Sequence, residues 1–392
     1  MIDTLDALAA LVDRARACDA VALDTEFVWE RTYYPALGVV QLGLGGDDVH
    51  LIDAPAIGEL TPLGDLLADG TVTKALHDAT QDLQILVRAA GGPSALPGGV
   101  PRAVFDTQRV AGFVGLGASI SLMDLTEWAT GTRLDKGETR TNWLQRPLTP
   151  KQIRYAEDDV RTLLDAVGKL RAEVAALDRE DWVADEMLRY EDPALYAEPD
   201  PMDAVGRLKA RGIGALHAQA RTVLRHVAAW REREAQRLDR TRRMVLPDEA
   251  LVAVAHHAPA SPDDLRHLRF TDKQVARYAD GVLEAVVQGK RADPEPRERR
   301  GRPTDEDDRR AAVLLLAQAL VAGRCQRQRL DSVLVATKSE LRDLVRDHAD
   351  GTLAAPAVLG GWRGAFLGDD LLRLLDGALG VGVGDDGWPR SR

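Results

Sequence analysis

Cysteine is almost absent from this 392-residue chain: Cys18 and Cys325 are the only two, and no Cys-x-x-Cys pair exists. That excludes a disulfide framework and a thiolate zinc site, and it fits a reducing compartment, so the cytoplasm is the expected location. Long apolar runs are also missing. The longest, AAVLLLAQALVAG from Ala311, is too short to span a bilayer, and the N-terminus has no basic region ahead of an apolar one. Neither secretion nor membrane anchoring is expected. No phosphate loop is present either, because GKL at Gly168 and GKR at Gly289 lack the Ser or Thr that must follow Gly-Lys. A helicase or another user of a nucleotide cofactor is therefore not expected.

Positive charge is in short supply overall, with a formal net charge of −11. It is unevenly spread, however. From Arg207 to Arg243 the chain carries eleven Lys or Arg against three acids, a local basic stretch on an acidic protein. Nucleic acid thus remains a possible partner despite the net charge.

The first half alternates strand-like and helix-like patterns, as an α/β domain does. VALDTEF, GVVQLGL and VHLIDA read as an antiparallel meander, and TVTKALHD and AVFDT as later strands, each followed by a helix. The insert VWERTYYPA reads as a loop near the end of the first strand. YEDPALYAEPDPMD and GKRADPEPRERRGRPTDEDD are Pro-rich breaks. The boundaries expected from these signals are a first domain over 1–195, a linker over 196–214, a helical unit over 215–290, and a linker over 291–303. A second helical unit over 304–379 and a frayed tail over 380–392 follow.

Three places carry acids in unusual settings. In VALDTEF, Asp24 and Glu26 are two apart on a strand, so both project from one face and repel unless a cation lies between them. In HDATQDLQILVRAA, Asp78 and Gln81 read as an N-cap and its capping-box partner, Leu83, Leu86, Val87 and Ala90 form the buried stripe, and Asp82 lies beside that stripe. In LTPKQIRYAEDDVRTLL, Thr149, Pro150 and Gln152 make a helix start. Tyr155 then shares a side with Asp159, four residues on, while Asp158, three on, fits nearly as well. Read singly, the two helical acids are ordinary features of a first turn and a solvated face. Together with the strand pair they are what a two-metal hydrolytic site requires. Carboxylate oxygens without a Cys or His cluster suit Mg²⁺ or Mn²⁺, and two such ions roughly 4 Å apart can clamp a phosphodiester.

DTEF with RTYYPALGVVQLG, HDATQDL and YAEDDV resemble, in order, the three exonuclease motifs of ribonuclease D, a DEDD-type 3′→5′ exonuclease with Tyr in its third motif. LDKGETRTNWLQRPLT, from Leu134 to Thr149, looks like the same family's connecting segment. The resemblance covers about residues 5–190 and implies a ribonuclease H-like α/β exonuclease domain with a mixed sheet. It also selects Asp159 over Asp158.

The implied metal ligands are Asp24, Glu26, Asp82 and Asp159, holding two divalent ions, with Tyr155 orienting the attacking water. Phe27 would stack on the terminal base and Lys136 would neutralise a phosphate. Residues from about 215 to 290 resemble an HRDC domain, an all-α module, on VLRHVAAWREREAQRLDRTRRMVLPDEALVAVA; the unit over 304–379 matches the same pattern poorly. Val223, Leu224, Val227 and Trp230 form that module's core stripe, and Arg221, Arg225, Arg231, Arg233 and Arg237 lie mostly off it. Arg225 and Arg231 are therefore expected to bind substrate. The expected function is metal-dependent exoribonucleolytic trimming of RNA 3′ ends, with precursors of tRNA as the implied substrates. The alternatives are a DNA 3′→5′ exonuclease and a catalytically dead nucleic-acid tether.

Overall fold

A computed structural model describes residues 1–133, 137, 141–295 and 304–392. The contacts divide the chain into two compact units, and neither follows the chain continuously.

The first unit holds a five-stranded mixed sheet in the order β3-β2-β1-β4-β5. Its strands are β1 Ala20–Val28, β2 Ala36–Gly43, β3 Val49–Asp53, β4 Thr73–Leu76 and β5 Val104–Asp106. β4 runs parallel to both β1 and β5, whereas β2 and β3 pair antiparallel. β1 is central because its Val21-Ala22-Leu23 run is apolar on both faces, as a strand covered on both sides must be. Helices α1 Leu5–Arg16, α2 Ala79–Ala89, α3 Thr107–Phe113, α4 Pro150–Arg161, α5 Leu163–Ala176 and α6 Glu180–Met187 accompany the sheet. The segment entering α4 is pinned by Arg146. Its guanidinium grips both oxygens of Asp53, at 2.6 and 2.7 Å, and donates to the carbonyls of Trp143 and Gly38. A Cβ on Gly38 would lie 2.5 Å from the Trp143 carbonyl, so only glycine admits this approach.

The second unit comprises residues 28–36 and 197–300 as far as they are described. Its long helices are α7 Ala218–Leu238, α8 Asp248–His257 and α9 Asp272–Arg291. Val223, Leu224 and Val227 are buried as the stripe predicts, and Trp230 is half-buried against Tyr278. Residues 196–214 differ from the expected linker. They form 3₁₀ turns over Pro201–Arg207 and Ile213–Ala215, and Ala204 and Leu216 join this unit's core. The insert after β1 differs too: Tyr33 is buried in the same core, with its hydroxyl 2.6 Å from Glu232. Arg242 and Arg207 neutralise that buried glutamate.

From Thr304 onward the chain returns to the first unit rather than forming the separate domain expected over 304–379. Helix α10 Asp305–Arg327 places Leu314, Ala317, Leu320 and Val321 in one apolar core with the sheet and its helices; α11 Lys338–Ala349 adds Leu341 and Leu344. Trp362 stacks on Trp182 of α6, 5.5 Å between centroids, and donates its indole N–H to buried Glu186. Arg109, Arg189 and Arg363 surround the same carboxylate. The 380–392 tail is not frayed. β6 Val381–Val383 and β7 Pro389–Ser391 form an antiparallel hairpin that lies on α10, where Gly323 admits the Pro389 carbonyl and Arg327 donates to it at 2.7 Å. Among the described residues no helix is long and apolar enough to cross a membrane.

Candidate active site

Alternation along β1 sends Asp24 and Glu26 to one face and Thr25 to the other. The buried Thr25 hydroxyl nevertheless reaches the next helix over and donates to Oδ1 of Asp82. The middle residue of Asp-Thr-Glu therefore holds a third acid near the first two.

Asp82 sits in the first turn of α2, which starts differently from its sequence signal. Asp78 occupies the N-cap position but adopts a left-handed backbone, φ 60°, and its side chain caps nothing. The cap comes from Asp106 at the end of β5, whose carboxylate accepts from the N–H groups of Asp78 and Ala79, at 3.1 and 3.2 Å. The same carboxylate accepts from Gln108 and Arg109 at the start of α3 and from the Tyr190 hydroxyl. One buried aspartate thus anchors two helix starts, a role that offsets the unpaired N–H groups each helix leaves there.

α4 begins with the expected capping box, Thr149 with Gln152. It buries Asp159 and turns Asp158 outward to Arg161, so burial separates two residues that spacing could not. Tyr155 is hydrogen-bonded to Asp159 and lies near Asp24 and Glu26. Its ring is hemmed in. Trp143 lies 6.1 Å away between centroids, and a Cβ on Gly137 would overlap the Tyr155 ring.

The four acids share one electrostatic environment. Burial first, then Asp24, Asp159 and Asp82, raise Glu26 to about 9. Burial, then Asp159, raises Asp24; burial, then Asp24, raises Asp82; burial, then Asp158, raises Asp159. Burial and the neighbouring carboxylates also push the Tyr155 hydroxyl up, keeping it protonated. Such a cluster of like charges, Asp82 and Asp159 buried and Asp24 and Glu26 half-buried, is stabilised by protons or by cations. Its donors are oxygens without His or Cys, which fits hard divalent ions rather than zinc. Among the described residues no three such side chains converge tightly enough to hold an ion as they stand, so an ion would have to draw them together.

The other expected site residues fare unevenly. Phe27 is half-buried next to Glu26. Lys136 lies outside the described residues. Arg225 is partly exposed, but its guanidinium is engaged by the Met202 carbonyl and Glu295. Arg231 is 2% exposed and donates to the Leu246 carbonyl and Asp248, at 2.8 and 2.7 Å, so it is a structural residue and not a surface contact. The exposed cations of the basic stretch are others. Among the described residues no carboxylate pairs with Lys209, Arg211, Arg233, Arg240 or Arg243. Thr25 and Asp106 carry no local sequence signal, because each acts on a partner far along the chain.

Known proteins match this chain over nearly its full length. The family model for the 3′-5′ exonuclease matches residues 1–175, and that for the HRDC domain matches residues 220–286. Ribonuclease D of Desulfotalea psychrophila is 35% identical over 372 residues, 94% of this chain and 96% of its own. Ribonuclease D of Escherichia coli is 31% identical over 386 residues, 96% of this chain and 98% of its own. The crystal structure of Escherichia coli RNase D, an exoribonuclease involved in structured RNA processing, matches with a TM-score of 0.80 at 30% identity, covering 96% of this chain and 98% of that one. A protein from Bifidobacterium adolescentis shares the fold, with a TM-score of 0.63 at 20% identity.

Proposed function

Because the chain belongs to the ribonuclease D family and is a 3′→5′ exoribonuclease, we propose that it uses two divalent ions, Mg²⁺ or Mn²⁺, held by Asp24, Glu26, Asp82 and Asp159. Bound there, the ions would activate water as the nucleophile and stabilise charge on the leaving 3′ oxygen. The chain's own residues do the rest. Tyr155, kept protonated by burial and by the acids around it, donates its one O–H to Asp159 and orients the attacking water through its oxygen, which accepts from the water, rather than acting as a base. Its hydrogen bond with Asp159 and the close packing of Trp143 and Gly137 fix the hydroxyl's direction. Phe27 stacks on the terminal base, and Lys136 neutralises a phosphate. Each cycle releases a 5′-nucleoside monophosphate.

The observation that carries this reading is the gathering of four carboxylates from β1, α2 and α4, Asp82 and Asp159 buried and Asp24 and Glu26 half-buried, all with raised proton affinity.

The substrates we propose are structured RNAs with 3′ extensions, precursors of tRNA above all, processed in the cytoplasm. The Escherichia coli relative's part in structured RNA processing supports this choice. The exposed Arg211, Arg233, Arg240 and Arg243 replace Arg231 as the proposed contacts to the RNA backbone, alongside Arg225. The test is competition among a 3′-extended tRNA, an unstructured RNA of equal length and the matching DNA strand. Preferential shortening of the tRNA extension supports the reading; equal use of all three overturns the substrate assignment.

A further inference from the structure

Gln41 of β2 is wholly buried, 0% exposed, yet among the described residues neither its Oε1 nor its Nε2 has a hydrogen-bond partner. Buried amides are nearly always paired, because one left unpaired forfeits its bonds to water. Gln152, also buried, shows the usual state, with its amide bonded to Thr149 and Thr141. Nor is a polar group needed for packing on β2: Val39 of the same face and the cross-strand partner Leu51 are both buried and apolar.

The strand register shows what Gln41 faces. β1 and β2 are neighbours joined only by residues 29–35, too few for the crossover that a parallel pair requires, so they run antiparallel. A Cβ on Gly43 would lie 3.4 Å from Cβ of Ala22, so these two positions oppose each other on one face of the sheet. Two residues along each strand, in opposite directions, Gln41 opposes Asp24, with Cβ atoms about 5 Å apart. The same Gly43 position lies 3.1 Å from the Val160 carbonyl, so this face is covered by α4, the helix that bears Tyr155 and Asp159.

We propose that Gln41 is a positioning residue of the active site: its Nε2–H group holds the Asp24 carboxylate oxygen that the ions leave free once they draw the acids together. A neutral amide suits this task, because it can orient a carboxylate without competing with cations for its charge. The inference rests on the reading of Asp24 as a metal ligand.

The test uses Gln41→Met and Gln41→Leu in the full-length protein, with Asp24→Asn alongside. Three quantities are measured: the metal-free Tm, Mn²⁺ affinity by calorimetry, and the single-turnover rate on end-labelled RNA. Both Gln41 variants are expected to keep or raise the metal-free Tm by a few degrees, to bind Mn²⁺ about tenfold more weakly, and to lose rate with RNA affinity unchanged. Stability and function moving apart is a signature that a merely structural glutamine does not give. Wild-type Mn²⁺ affinity and rate in both variants overturn the inference, and so does a fall in Tm or a failure to fold, since either means that the amide is satisfied without the ions. If Asp24→Asn also retains Mn²⁺ affinity and rate, the metal reading itself fails; if it loses both while the Gln41 variants retain them, only the role of Gln41 fails.

Discussion

Thr25 donates its hydroxyl to Oδ1 of Asp82, although its side chain leaves β1 on the face opposite Asp24 and Glu26. One tripeptide therefore addresses three of the four acids, two by its own carboxylates and one through a hydrogen bond across 57 residues of chain. Thr25→Val preserves the shape of the side chain and removes the hydroxyl. It is expected to reduce the single-turnover rate about tenfold or more, and Thr25→Ser is expected to restore most of it. A valine variant as active as the wild type would show that Asp82 needs no such support.

Asp106 supports Asp82 from the other end, by anchoring the start of α2. Asp106→Ala leaves the N–H groups of two helix starts and the Tyr190 hydroxyl without their acceptor. A loss of about 2–4 kcal/mol in urea unfolding is expected, since each lost cap costs about 1 kcal/mol. Asp106→Asn, which keeps one acceptor oxygen, is expected to fall between. Tyr190→Phe, lacking one donor, is expected to be the mildest.

The raised acids make metal-free stability depend on pH in an unusual direction. Unfolded, the four carboxylates titrate near 4; folded and without metal, Glu26 titrates near 9 and Asp24 near 8. Between those limits the native state binds more protons than the unfolded one, so stability falls as pH rises from about 5 to about 8. Each acid still protonated adds a slope of about 1.4 kcal/mol per pH unit. Half-buried His77 and His226, both lowered, act in the opposite sense below about 6.5, which makes Asp24→Asn the proper control. Thermal melts in EDTA at pH 5 to 8 are expected to descend for the wild type and to descend less steeply for the variant, which keeps three of the four raised acids. Saturating Mn²⁺ is expected to remove the descent, because metal binding replaces the protons.

Arg231 and the Arg240–Arg243 pair should separate stability from RNA binding. Arg231→Ala removes a buried guanidinium from the half-buried Asp248 and is expected to destabilise by about 2 kcal/mol or more, with RNA affinity unchanged well below the melting temperature. The double variant Arg240→Ala, Arg243→Ala is expected to leave stability within about 0.5 kcal/mol. It should bind RNA more weakly, with the slope of log affinity against log salt reduced by about 1.5–2. Equal RNA affinity across a salt series would exclude both residues from the contact.

Local signals were legible in the sequence and distant partners were not. The Thr149–Gln152 capping box and the α2 stripe depend on neighbours three to seven residues away, and the structure shows both. Asp78 fails as a capping side chain because Asp106, 28 residues on and on another strand, takes the N–H groups it would have served. Arg231 looks like a free surface cation until Leu246 and Asp248, 15 and 17 residues on, enclose its guanidinium. The stretch from Thr304 reads as a separate domain because its apolar face finds its partners, Trp182 and Glu186, far back in the chain. The hairpin at the C-terminus escapes a composition argument for the same reason: Gly323 and Arg327 of α10 receive Pro389.

The most direct measurement is a time course on end-labelled 3′-extended tRNA with Mg²⁺, with Mn²⁺ and with EDTA, comparing the wild type with Asp24→Asn. The expected result is a ladder shortening from the 3′ end with either metal, abolished by EDTA and slowed by at least about a thousandfold in the variant, as removing a group that acts within a catalytic unit does. Shortening that persists in EDTA, or an Asp24→Asn enzyme as fast as the wild type, would contradict the assignment of the β1 acids to catalytic metal.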